Sequence, residues 1–441
     1  MLRRVMPGPL EVDGASCTAG ALFRSGLEFN PPAHGTWNIV HVGMLVPESH
    51  QVYVCATNCM RGVVLTAQEM GAEDRFSCVL LHEEDIVRGT VEDVTREGVS
   101  DVLEKLDALG RLPRCVMVFP VCTHLFLGIN MNRVYADLER RWPQVDFVRA
   151  FMDPISRRRI TPDQRLRREM LSPIEPLPAD ASLVAHVGSD FALEDDADLK
   201  CMAAGAGHTI ASVHDATTYD EFLGLGAAGT ILATYPSADL GARKLAQRLG
   251  RRYLYLPKTF DADEVERQCR AFAHAIAASP PDFASERALV ADELERARQA
   301  LGDMVVEIDA LAHPTPFALA RMLVQANITV TRVYADVIAT DDEARDLFWL
   351  MTHHTGIEVW AMTKADMRLQ ARDRGDGVVA IGQRAAWFSG TSHFVNMVEG
   401  GGLWGFAGIR EMARRLAWAA THEQDARDAI VRKGLGCASV I

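Results

Sequence analysis

The chain lacks the marks of membrane, secreted and nucleic-acid-binding proteins. Its 441 residues contain no run of about eighteen apolar residues, so no helical membrane span is expected. Behind the charged Arg3 and Arg4 stands Pro7-Gly8-Pro9 rather than an apolar stretch, so the sequence reads as neither signal peptide nor anchor. A cytoplasmic location is therefore expected. Positive charge is in deficit, at a net -13, which leaves no domain-wide basic surface to neutralise phosphates and excludes nucleic acid as the main partner. There is no Walker A sequence, so ATP is not expected to bind this chain. The segment Gly224-Leu-Gly-Ala-Ala-Gly229 matches G-x-G-x-x-G in letters, but it follows a helical pattern and precedes a strand. A dinucleotide site needs the reverse order, because the pyrophosphate must meet a helix N-terminus. NAD is discounted.

What is present is an ordinary globular composition, 48% hydrophobic and 24% charged, sufficient for a large core. At about 150 residues per domain the length gives a prior of about three. Apolar β-prone runs alternate with helical patterns throughout, which implies right-handed crossovers and parallel sheets covered on both faces. The fold class expected is α/β, with three Rossmann-like domains. Residues 1–35 read as an irregular N-terminal segment and residues 36–156 as domain I, which carries the cysteines of interest. A connector over 157–180 is punctuated by Pro173, Pro176 and Pro178 and opens on Arg157-Arg158-Arg159, a cluster read as a solvated face. Domain II follows over 181–260, then a helical bridge over 261–302 broken at Pro280-Pro281, and domain III with its C-terminal helix over 303–441.

Nine cysteines without a secretion signal imply reduced thiols. Cys78, Cys115, Cys201 and Cys269 sit in apolar or helical patterns and read as packed thiols. Cys437 stands one residue out of register for prenylation. The others are placed differently. The run Val52-Tyr53-Val54 delivers Cys55 and Cys59 to a turn, and the run from Cys115 to Phe119 delivers Cys122 just past its end. Strand ends of this kind share the edge of an open α/β sheet where ligands collect. Cys55, Cys59 and Cys122 are therefore the candidate metal ligands. Two metals suit them: an iron–sulfur cluster, or zinc with His124 completing an N/S tetrahedron.

Four local segments carry a family resemblance. They are Asn30-Pro-Pro-Ala-His-Gly-Thr36, Cys55 to Gly62, Glu83-Glu-Asp-Ile-Val-Arg-Gly89 and Cys122-Thr-His-Leu-Phe-Leu-Gly128. In order and spacing the chain, from about Phe29 to Ala420, resembles the nitrogenase component 1 superfamily. That group includes the catalytic subunits of nitrogenase, of the dark-operative protochlorophyllide and chlorophyllide reductases, and of methylthio-alkane reductase. The first three segments look like the places of the family's first cluster cysteine, its second, and the stretch that follows it, and the fourth looks like the place of the third cysteine. Departures stand beside the matches. Thr36 occupies the place of the first cluster cysteine, Ile129 and Asn130 replace a Gly-Asp after Gly128, and Thr234 stands where a cysteine before a tyrosine anchors the nitrogenase cofactor. A cofactor bound in the nitrogenase manner is therefore not expected.

The resemblance implies an oxidoreductase subunit with an iron–sulfur cluster of the 4Fe-4S type, shared at an interface with a homologous subunit. It also implies a P-loop iron–sulfur ATPase that hydrolyses ATP and delivers electrons, and a substrate or further metallocofactor, unidentified, in a cleft between domains. His393, His34 and Glu399 are the candidates for lining that cleft catalytically. The loop Gly400-Gly401-Gly402, opening a helix, and Thr234 are the candidates for holding a cofactor or anion. Two other functions are consistent with the same residues: a non-catalytic scaffold for cluster or cofactor assembly, and a zinc-stabilised small-molecule binder.

Overall fold

A computed structural model describes residues 8–12, 17–23, 26–29, 31, 39–151, 160–354, 356–426 and 428. His34, Thr36, the Arg157–Arg159 cluster and Cys437 lie outside the described residues.

In chain order the elements are β1 (Gly20–Ala21), α1 (Ile39–Met44), β2 (Ser49–Cys55), α2 (Thr57–Glu69), β3 (Phe76–Leu80), α3 (Glu83–Arg88), α4 (Val91–Ala108), β4 (Cys115–Pro120), α5 (Cys122–Phe126), α6 (Met131–Arg141) and β5 (Asp146–Arg149). Next come α7 (Pro162–Glu169), β6 (Asp180–His186), α8 (Asp198–Gly205), β7 (Thr209–Ser212), α9 (Tyr219–Gly224), β8 (Ala228–Ala233), α10 (Asp239–Leu249), β9 (Arg252–Tyr255), α11 (Ala262–Ile276) and α12 (Phe283–Leu301). The last group is β10 (Val305–Asp309), α13 (Pro316–Gln325), β11 (Val330–Tyr334), β12 (Val337–Ile338), α14 (Asp341–His353), β13 (Glu358–Trp360), β14 (Val378–Ile381), α15 (Gln383–Ser389), β15 (Phe394–Val395) and α16 (Gly405–Thr421).

Three parallel sheets result, with strand orders β3-β2-β4-β5, β7-β6-β8-β9 and β13-β11-β10-β14-β15. The α/β class expected from alternation is what forms. Fully buried strands explain why the apolar runs are nearly continuous: β2 and β4 are buried at every residue. The G-x-G-x-x-G letters fall between the end of α9 and the start of β8, as expected, and Gly226 and Gly229 are there for close approach. A Cβ at Gly226 would meet Glu175 O at 2.1 Å. Elements not legible in the sequence include β15, two residues long, the two strands of the antiparallel pair β1–β12, and α7, a helix inside the segment read as a connector.

Helix starts follow their side chains. Thr161 accepts from Gln164 N at 3.2 Å, with Pro162 at the first helical position of α7. Asp282, next to Pro280-Pro281, accepts from Ala284 N at 3.1 Å and so restarts the chain as α12. Helices α12 and α16 pack against each other beside the third sheet, burying Leu294, Ala297, Ile409 and Leu416.

In each sheet the first strand lies between the second strand and a later one, so the order reverses beside it. That reversal opens a crevice at the carboxyl ends of β2/β4, of β6/β8 and of β10/β14. Ligands in open α/β sheets bind at such crevices.

Candidate functional site

The first crevice presents the thiols. Strands β2 and β4 run level, with Tyr53 opposite Phe119 and Val54 opposite Pro120, so both leave the sheet at the same edge. Past β2 the chain turns through extended Ala56 into α2, and Cys59 N donates to Ala56 O at 2.9 Å in its first turn. Past β4 it turns through extended Val121, and Cys122 is the first residue of α5. Cys59 is exposed and Cys122 partly so. Cys55, the last residue of β2, is buried in the core. Burial, reinforced by the neighbouring Cys78 and Cys59 thiols, pushes its own thiol up to about 12.

His124 does not join them. It is buried, its Nε2 lies 2.9 Å from Thr95 Oγ1 on α4, and burial lowers its imidazole to about 4. Among the described residues no three His, Cys, Asp or Glu side chains converge on a metal position. The zinc tetrahedron Cys55–Cys59–Cys122–His124 is therefore corrected: the histidine is turned inward to satisfy Thr95, away from the edge. Around the thiols the same edge exposes an apolar rim of Leu80, Ile86, Val87, Leu125, Phe126 and Leu127, with Val87 85% and Phe126 68% exposed.

The second and third crevices meet across a buried polar cleft. Past β6 stand Gly188, Ser189 and Asp190, and past β8 stand Thr234 and Tyr235. Thr234 is buried with its Oγ1 2.9 Å from His186 Nε2, so its hydroxyl is engaged. Arg167 of α7 reaches in beside it. Its Nη2 donates to Asp190 Oδ2 at 2.9 Å, its Nη1 to Gly188 O at 2.7 Å, its Nε to Asp163 Oδ1 at 2.9 Å, and its guanidinium lies 5.1 Å from the Tyr235 ring centroid. Burial alone would raise the Asp190 carboxyl, but the adjacent Arg167 guanidinium outweighs it and holds Asp190 below the usual range.

From the third sheet comes the loop after β15. Glu399 N donates to Leu311 O at 2.8 Å, Gly400 N to Ala312 O at 2.6 Å and Gly401 N to Val398 O at 3.0 Å. The amides of Gly400 and Gly401 are spent inside the fold rather than offered to an anion. The glycines instead permit close approach: a Cβ at Gly400 would meet the His313 ring at 2.6 Å, and one at Gly402 would meet Ala192 O at 2.4 Å. The ammonium of buried Lys258 sits under this loop, donating to Glu399 O at 3.5 Å and to Gly401 O, while Lys258 N donates to Thr234 O at 3.1 Å. Burial brings that ammonium down to about 8. Burial, together with the negative charge of nearby Asp190, raises the Glu399 carboxyl well above the ordinary carboxylate range.

Thr234, Glu399 and Gly400–Gly402 are thus brought to one cleft. His393 is not: its Nδ1 lies 2.8 Å from Ala419 O at the end of α16. Arg167, Asp190, Lys258, His186 and His313 were missed in the sequence. The available signal was position, since Asp190 and Lys258 are charged residues directly after expected strands.

Two solved structures titled "Nitrogenase Cp1", at pH 6.5 and at pH 5, share the fold. The first has a TM-score of 0.66 and 13% identity over 90% of this chain and 94% of that one. The second has a TM-score of 0.58 and 12% identity over 91% of this chain and 90% of that one. No curated protein matches. The model of the family described as nitrogenase component 1 type oxidoreductase matches residues 45–420, and by that match the chain belongs to this family.

Proposed function

We propose that the chain is the electron-relay subunit of an ATP-dependent, nitrogenase-like reductase. Cys59 and Cys122 hold an iron–sulfur cluster jointly with a homologous subunit, and a docked P-loop iron–sulfur ATPase supplies the electrons. One observation carries this function: two accessible thiols at one sheet crevice, ringed by exposed apolar side chains. Exposed apolar side chains gathered around a site mark a surface that another protein covers. Two thiolates from each of two chains make the Cys₄ set of a [4Fe–4S] cluster, so the donor chemistry fits. When bound, such a cluster stores and passes single electrons.

This chain's own residues do the rest. The level ends of β2 and β4 fix the spacing of the two thiols, and α3 and α5 present Ile86, Val87, Leu125 and Phe126 to the partner, excluding water. The nitrogenase metallocofactor does not fit the cleft, because Thr234 offers a neutral hydroxyl already bonded to His186. The reduced molecule is thus a substrate held between the second and third sheets.

The same Thr234 observation favours a second function, a scaffold for cluster or cofactor assembly without turnover. The two separate on one experiment: anaerobic mixing of the protein with its co-purifying P-loop ATPase. ATP-dependent bleaching of the cluster absorption followed by continued ATP-driven dithionite consumption supports the reductase. Bleaching without continued consumption supports the scaffold.

A further inference from the structure

Past the carboxyl ends of β9 and β10 the starts of α11, α13 and α14 enclose a cavity of about 240 Å³. Of the polar cleft's residues, only Lys258 belongs to its wall. Pro236, Pro257, Pro314 and Tyr255 give the cavity a stiff, largely apolar side. Its other side is charged, and there the hydrogen bonds can be followed one by one.

The cations of the wall are all committed. Arg321 Nη1 donates to Asp346 Oδ1 at 2.9 Å, Arg267 pairs with Glu264, and Arg345 pairs with Asp342. The Lys258 ammonium is held by the Glu399 and Gly401 carbonyls. The three helix starts are occupied as well. Asp261 Oδ1 accepts from Asp263 N at 2.9 Å on α11, Glu343 accepts from Phe317 N and Ala318 N on α13, and Thr340 Oγ1 accepts from Glu343 N at 3.2 Å on α14. An anion entering the cavity would therefore displace a carboxylate or a hydroxyl from a helix start it already caps.

One acceptor is left over. Gln268 of α11 is 4% exposed and belongs to the same wall. Its Nε2 donates to Glu264 Oε1 at 3.1 Å, while its Oε1 has no hydrogen-bond partner among the described residues. The amide cannot be turned round, because an ionised Glu264 only accepts and the NH₂ must face it. A buried acceptor without a partner calls for a donor. The charge balance of the wall agrees, with the carboxyl groups of Asp261, Glu264, Asp342, Glu343 and Asp346 against four cations.

We propose that this cavity binds a small protonated amine, whose ammonium donates to Gln268 Oε1 and whose compact apolar body lies against the three prolines and Tyr255. A volume below the roughly 300–1,000 Å³ of drug-sized sites restricts the ligand to a few heavy atoms beyond its nitrogen. Binding here does not depend on the proposed relay, so its failure leaves that function untouched.

Isothermal titration calorimetry of the full-length protein at neutral pH tests it, with cyclohexylammonium as the probe and cyclohexanecarboxylate as its match in shape and opposite in charge. One saturable site per chain is expected for the ammonium and none for the carboxylate. Gln268→Met keeps the bulk of the side chain without the acceptor, and it should weaken the ammonium about tenfold or more, the range of a lost hydrogen bond to a charged group. Circular dichroism checks that the variant folds, and should it not, the comparison of the two probes on the wild-type protein decides alone. Saturable ammonium binding that Gln268→Met weakens supports the site. Heat that does not saturate means that water alone satisfies Gln268, and it overturns the proposal. Carboxylate binding as tight as that of the ammonium, or ammonium binding unchanged in a folded Gln268→Met, overturns it too.

Discussion

The rings of Tyr53 and Phe119 stack 4.4 Å apart and within 2° of parallel, across a pair that the β2–β4 register sets directly opposite. Both side chains are fully buried, and Tyr53 OH donates to Gln51 Oε1 at 2.9 Å. The stack pins the two strands whose ends carry Cys59 and Cys122. Phe119→Ala should cost about 3–5 kcal/mol in chemical denaturation, the usual toll of deleting a buried aromatic ring. Anaerobically purified variant should also hold less iron, since the two strand ends lose their common register.

The apolar rim makes a prediction of its own. Phe126→Glu and Val87→Glu replace exposed side chains, so each should change stability by no more than about 0.5 kcal/mol. Both should shift sedimentation from an oligomer toward the single chain, because a charge is buried at the contact.

Much of this architecture was legible beforehand, and the reasons are physical. Runs such as Val52–Val54 and Cys115–Phe119 are buried on both faces, and burial of that kind writes itself as continuous apolar sequence. The places of Cys59 and Cys122 followed, because a residue just past such a run stands at the sheet edge, whereas Cys55, still inside β2, is buried in the core rather than offered at that edge. The cleft was harder to foresee. Arg167 comes from a connector, Asp190 from the second sheet and Glu399 from the third, and no sequence spacing encodes the nearness of Asp190 and Glu399 across 209 positions. His124 was misassigned to zinc for a related reason, since its partner Thr95 sits on a helix distant in sequence.

Breaking the Arg167–Asp190 pair should be severe. Arg167→Ala leaves two carboxylates, Asp163 and Asp190, without their cation, and the expected loss is about 3–5 kcal/mol. Replacing both partners by apolar residues, Arg167→Met with Asp190→Leu, should cost less than the single change. Urea denaturation of the two variants decides it.

Glu343 gives the fold a pH dependence. Its carboxyl, on α14, accepts from Phe317 N at 3.0 Å and Ala318 N at 3.2 Å at the start of α13. Burial nevertheless raises it from 4.5 to about 8. A carboxyl raised on folding stabilises fully below its unfolded value, and that contribution is lost as pH climbs toward the folded one. Melting temperature should therefore fall between about pH 4.5 and about pH 8, by an amount on the order of a few kcal/mol in stability. In Glu343→Gln this part of the slope should vanish.

The most direct measurement is iron and labile sulfide per chain in anaerobically purified wild-type, Cys59→Ala, Cys122→Ala and Cys55→Ala proteins, with circular dichroism confirming each fold. An interface cluster held by the two accessible thiols predicts that Cys59→Ala and Cys122→Ala lose most of their iron, while Cys55→Ala keeps it. Iron content unchanged in Cys59→Ala and Cys122→Ala would contradict the assignment of both ligands.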